Sequence, residues 1–64
     1  MDTLYYIVEV QDYGEVYEYE FSELESACYL MDIEQLPCFL WECRTHAGGR
    51  QLLDRKNTCR KILI

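Results

Sequence analysis

No lysine or arginine occurs in the first 34 residues, although ten carboxylates do: Asp2, Glu9, Asp12, Glu15, Glu18, Glu20, Glu23, Glu25, Asp32 and Glu34. All six cations (Arg44, Arg50, Arg55, Lys56, Arg60 and Lys61) come later, against Glu42 and Asp54 alone. The early part therefore carries −10 and the later part +4, which leaves the chain at −6. Such a separation of sign within one small chain builds a directional field that bears on partners rather than on fold. A net negative charge repels polyanions, and no aromatics are interleaved with the basic residues at 55–61. Direct nucleic-acid binding is therefore not expected. Internal compensation of the acidic half is the simpler role for that cluster.

Other absences narrow the field further. No stretch approaches the roughly 18 apolar residues that cross a bilayer, so no membrane association is expected. Asp2 leads straight into an alternating strand, without the charged and apolar regions of a signal peptide, and the expected compartment is the cytoplasm. Gly48-Gly49 is a turn signal, because the glycine-lysine pattern of a phosphate loop is missing. There is one histidine, His46, beside that turn, and catalysis by Cys and His needs an activated thiolate with an oriented base. Paired carboxylates need a cleft that drives their pKa values apart, for which one sheet and one helix leave little room. Neither an enzyme nor a cofactor is expected.

Cys38, Cys43, His46 and Cys59 together offer four soft ligands, and a zinc-stapled small domain is one alternative. Their spacing lacks the two-residue knuckle of zinc sites. On a continuous strand, alternation also sends Cys43 and His46 to opposite faces. Without an export signal the four cysteines read as reduced thiols, and three of them sit in apolar contexts as small hydrophobes.

What is present is the composition of a folded protein: 64 residues in a single domain, half of them apolar, with six Tyr, two Phe and one Trp. Residues 3–11 and 16–21 alternate as strands around Asp12-Tyr13-Gly14. A two-residue loop at Tyr13-Gly14 pairs Val10 with Tyr17, Val8 with Tyr19 and Tyr6 with Phe21, all on one face. The other face then takes Glu9 opposite Glu18 and Ile7 opposite Glu20. Ser22-Glu23-Leu24-Glu25 reads as a capping box opening a helix over 22–34, with Pro37 setting its latest end. Residues 38–46 and 50–55 read as a second hairpin, and 59–64 as a short fifth strand or ordered tail. The expected fold is α+β: a small antiparallel sheet, β-β-α-β-β, with one helix packed on one face. The expected core is Val8, Val10, Tyr17, Tyr19, Phe21, Leu24, Cys28, Met31, Phe39 and Trp41.

Like charges directly opposite each other, as in Glu9 and Glu18, cost on the order of 0.2–1 kcal/mol. A solvated face partly neutralised by Arg44, Arg50 or Arg55 would tolerate that cost, and so would a cationic partner. The candidate partner-binding residues are Glu9, Asp12, Glu15, Glu18 and Glu20, with Tyr5 and Tyr13 supplying apolar contact. In size, charge and acid-studded β-surface the chain is similar to phage and mobile-element inhibitors of the anti-restriction and anti-CRISPR kind. That likeness implies a non-catalytic inhibitor or adaptor docking on a basic protein surface, such as the nucleic-acid channel of another enzyme. The alternative of a different class is a homo-oligomeric assembly unit, a homodimer in its simplest form. Its basic apolar end would meet the acidic half of a second copy.

Overall fold

The computed structural model describes residues 2–46 and 48–56. Strands β1 (Leu4–Asp12) and β2 (Glu15–Phe21) form the expected hairpin, with Val10 opposite Tyr17, Val8 opposite Tyr19 and Glu9 opposite Glu18. Tyr13 and Gly14 both take positive φ, 50° and 93°, as required by the tight turn whose twist matches the flanking strands. Gly14 adopts this freely. Tyr13 does so under strain, because its Cβ crowds the following carbonyl.

Strand β3 (Cys38–Arg44) pairs antiparallel with β1 rather than with β2, and β4 (Arg50–Lys56) pairs with β3. The sheet order is β2-β1-β3-β4. Because β2 and β3 flank β1 and point the same way, the chain between them must cross over one face. Such a crossover needs a dozen or more residues and is usually helical. Residues 22–37 make it, and α1 (Leu24–Ile33) lies within it.

The helix starts later than its sequence signal. Glu23 occupies the N-cap with extended backbone and no side-chain cap bond, and its carbonyl accepts the first helical bond from the Ala27 N–H at 3.3 Å. Ser22 and Glu23 are taken up in the bend from the sheet edge onto its face, so the capping box does not form. Ala27, Met31 and half-buried Leu30 point at the sheet, whereas Leu24 and Cys28 are exposed.

The buried cluster is Val8, Val10, Ala27, Met31, Cys38 and Leu40, with Tyr6, Phe21, Leu30 and Leu36 packed against it. This corrects the expected core at β3. Val10 lies opposite Cys38 and Val8 opposite Leu40, which puts those two under the helix and turns Phe39 and Trp41 to the other face. Over 38–41 both faces of β3 are apolar, and the stripe that continues into Glu42 and Arg44 is the one the helix covers, so alternation alone does not choose the phase. Tyr17 and Tyr19 remain 43% and 45% exposed. The reason is width: a helix is about 10 Å across with its side chains, while four strands at about 4.8 Å spacing are wider.

One irregularity sorts the cations. Leu40 faces Asp54 and Trp41 faces Leu52, leaving Leu53 as an extra residue between them. Without this bulge, Arg50 and Lys56 would share a face, being an even number of residues apart. With it, Lys56 sits on the helix side opposite Cys38, and Arg50 on the opposite side facing Cys43. The Lys56 ammonium donates to the carbonyl oxygens of Met31 (2.6 Å) and Glu34. The last turn of α1 holds no basic residue of its own, so β4 supplies the cation that suits the negative end of the helix.

Two stability outcomes follow. Tyr13→Asn should stabilise the fold by about 0.5–1 kcal/mol, since Asn tolerates the left-handed region better, and a raised urea midpoint will show it. Lys56→Met should cost about 1–2 kcal/mol by removing the charged cap while keeping the apolar stem. An unchanged midpoint for that variant would refute the capping role.

Candidate docking surface

Odd-numbered residues of β1 and even-numbered residues of β2 project from the face opposite α1, called the open face below. Tyr5, Ile7, Glu9, Glu18 and Glu20 lie there, joined by Phe39, Trp41 and Cys43 of β3 and Arg50, Leu52 and Arg55 of β4. A chain of polar contacts crosses it. Gln11 Nε2 donates to Glu9 Oε2 at 2.6 Å, and Trp41 Nε1 donates to Glu9 Oε1 at 2.9 Å. The Arg50 guanidinium lies over the Trp41 ring, 5.1 Å from its centroid, and donates to Glu18 Oε2 at 3.2 Å.

The candidate residues thus divide. Glu9 is engaged through both carboxylate oxygens and positions Trp41, so its charge serves the sheet. Glu18 is paired with Arg50 across the width of the sheet, but both side chains stay substantially exposed, at 44% and 36%, and such a pair contributes roughly 0–1 kcal/mol. Glu20 is exposed on the same face. Asp12 and Glu15 face each other on the helix side at the hairpin end, where Glu15 accepts a hydrogen bond from the Tyr17 hydroxyl. Tyr13 stands 89% exposed at the tip between them. Tyr5 lies opposite Cys43; desolvation and the adjoining thiol push its phenol above the ordinary 10.0, so it remains a hydrogen-bond donor at neutral pH. Glu9, Glu18, Glu20 and Tyr5 therefore share one face, while Asp12, Glu15 and Tyr13 extend the acidic region around the hairpin tip.

Sequence reasoning expected Arg50 among the cations neutralising this face, as its pairing with Glu18 now shows, but did not anticipate the roles of Trp41 and Gln11. The available signal was the alternation of Phe39, Trp41 and Cys43, which needed only the opposite phase. The proposed metal set does not converge: Cys38 is buried on the helix side and Cys43 on the open face. His46 is exposed in the β3–β4 turn, and Cys59 lies outside the described residues, as does the proposed strand at 59–64. Among the described residues no group of three His, Cys, Asp or Glu is placed to hold a metal ion, and no helix is long and apolar enough to cross a membrane.

The architecture is that of a small two-layer α+β protein with an acidic, aromatic open face. Comparison with protein-family models, with curated proteins and with solved structures finds no match.

Burial pushes the Cys38 thiol above its ordinary 9.0, and the bond to Glu15, with partial desolvation, pushes the Tyr17 phenol above 10.0. A raised folded value means that the stability contribution is complete below the unfolded value and is lost as pH climbs through the folded one. The denaturation midpoint should therefore hold steady through neutral pH and fall once pH exceeds about 9. Cys38→Val, which keeps the burial without the titrating thiol, should show a shallower fall.

Proposed function

We propose that this chain is a non-catalytic acidic binding protein that docks its β1–β2 side on a basic surface of another protein. The observation that carries this reading is the one-sided charge of the sheet. Strand β2 forms one edge and presents Glu15, Glu18 and Glu20, all exposed, while Arg50, Arg55 and Lys56 belong to β4 at the opposite edge. Arg50 crosses over to Glu18 and Lys56 turns inward to the helix, so of these three only Arg55, exposed opposite Phe39, is left as a basic group on the β4 edge. So small a basic group favours a heterologous basic partner over a second copy docking through its β4 edge; the end at 59–64 lies outside the described residues.

Tyr13 supports the same side. A tyrosine held in the left-handed region and left almost wholly exposed is strained without a packing benefit, and strain of that kind persists where a contact uses it. The partner class most consistent with these features is a protein whose basic groove ordinarily holds nucleic acid, with the acids standing in for phosphates as in anti-restriction and anti-CRISPR inhibitors. Steering by such a field raises association rates and is screened over about 8 Å at physiological salt.

The test compares partner capture by the wild type and by a Glu15/Glu18/Glu20→Gln variant, leaving Glu9 in place because it holds Trp41. The expected result is a partner lost by the variant and displaced from the wild type by DNA or RNA. A partner retained equally by both would remove the acidic-side mechanism.

A further inference from the structure

The outer edge of β2 is a strand edge with no neighbour among the described residues, and its two faces differ sharply. A two-residue hairpin loop closes on a hydrogen-bonded pair, here Asp12 and Glu15, and antiparallel pairs then alternate along the ladder. Tyr17, Tyr19 and Phe21 accordingly bond inward to β1. The backbone N–H and C=O groups of Val16, Glu18 and Glu20 point outward, unclaimed by the sheet. The Gln11 N–H, opposite Val16, follows the same alternation: it turns away from β2 and donates to the Pro37 carbonyl at 2.9 Å.

On the open face this edge carries Val16, Glu18 and Glu20. On the helix side it carries half-exposed Tyr17 and Tyr19, and it borders a groove of about 450 Å³ between Phe21 and the helix residues Tyr29, Leu30 and Ile33. Tyr29 and Ile33, one turn apart, are 67% and 56% exposed and contribute little to the core. The edge therefore combines outward hydrogen-bonding groups, a line of acids on one side and an apolar trough on the other.

We propose that an extended segment of the partner, alternating cationic and apolar side chains, adds to β2 as a further antiparallel strand. This deepens the reading above and rests on it, since it takes the partner to be basic. Residues opposite Glu18 and Glu20 project to the open face, where cations meet the carboxylates. Residues between them project to the helix side, where apolar groups cover Tyr17 and Tyr19 and enter the groove. Main-chain bonds to Val16, Glu18 and Glu20 supply binding that does not depend on sequence, and the alternation supplies selectivity. Charge complementarity selects this occupant over a neutral strand.

The test uses three synthetic peptides: one alternating lysine and valine, one with the same residues in separate blocks, and the alternating one N-methylated at its lysines, whose amides would face β2. Amide hydrogen exchange of the intact protein is followed by NMR. The alternating peptide should bind and slow exchange several-fold at Val16, Glu18 and Glu20 while leaving the inward amides of Tyr17 and Tyr19 as they were. The other two should produce no such protection. Equal binding of all three without protection of those amides would overturn strand addition and leave charge-based docking intact. Failure of the alternating peptide to bind would also overturn strand addition. Equal binding of that peptide to the Glu15/Glu18/Glu20→Gln variant would instead sink the acidic-side reading beneath it. Protection appearing without peptide as the protein is concentrated would mean that the edge pairs with a second copy, which likewise overturns the proposal.

Discussion

A single ten-residue helix must cover a four-stranded sheet, and it is too narrow to do so. It settles over the centre, where Val8 and Val10 of β1 meet Cys38 and Leu40 of β3, because those positions are adjacent in the middle of the sheet. Small Ala27 lets the helix approach closely there. Everything else about the molecule follows from what that placement leaves uncovered. The aromatic side chains of β2 stay half-exposed, and among the described residues Phe39 and Trp41 have no second layer above them. An apolar trough runs beside the helix instead of closing into the core.

Among the described residues the open face is covered by its own side chains. Glu9 receives Trp41 and Gln11, and Arg50 lies across the indole toward Glu18. These contacts shield the ring and temper like-charge repulsion between Glu9 and Glu18 without removing the negative field. Arg50 can reach this face because of the extra residue at Leu53, and the same shift keeps Lys56 on the other side as the helix cap. One bulge thus serves both layers. It also leaves the acidic β2 edge less compensated than the sequence balance of charges implies, because Arg50 meets only Glu18 there and Lys56 is committed to the helix.

The first hairpin was legible down to individual pairs, since Tyr13-Gly14 admits a tight loop and a slip of one residue would have mixed apolar and acidic side chains on both faces. The helix was legible as an element but not in its start or its rotation. The apolar residues between 24 and 33 support more than one stripe, and contact with the sheet selected Ala27, Leu30 and Met31. The acidic residues of the candidate surface could be named from sequence. Their division into engaged Glu9, paired Glu18 and exposed Glu15 and Glu20 could not, because it depends on strands 32 residues apart in the chain.

The sequence by itself determined the local pairings and the separation of charge along the chain, because alternation, turn residues and charge sign act between near neighbours. Tertiary structure alone decided that β3 lies beside β1, which face of β3 is buried, and that the acidic and basic segments end on opposite edges of one sheet. Those outcomes depend on a crossover and a bulge, whose geometry is set by packing between distant segments and leaves no local pattern to read.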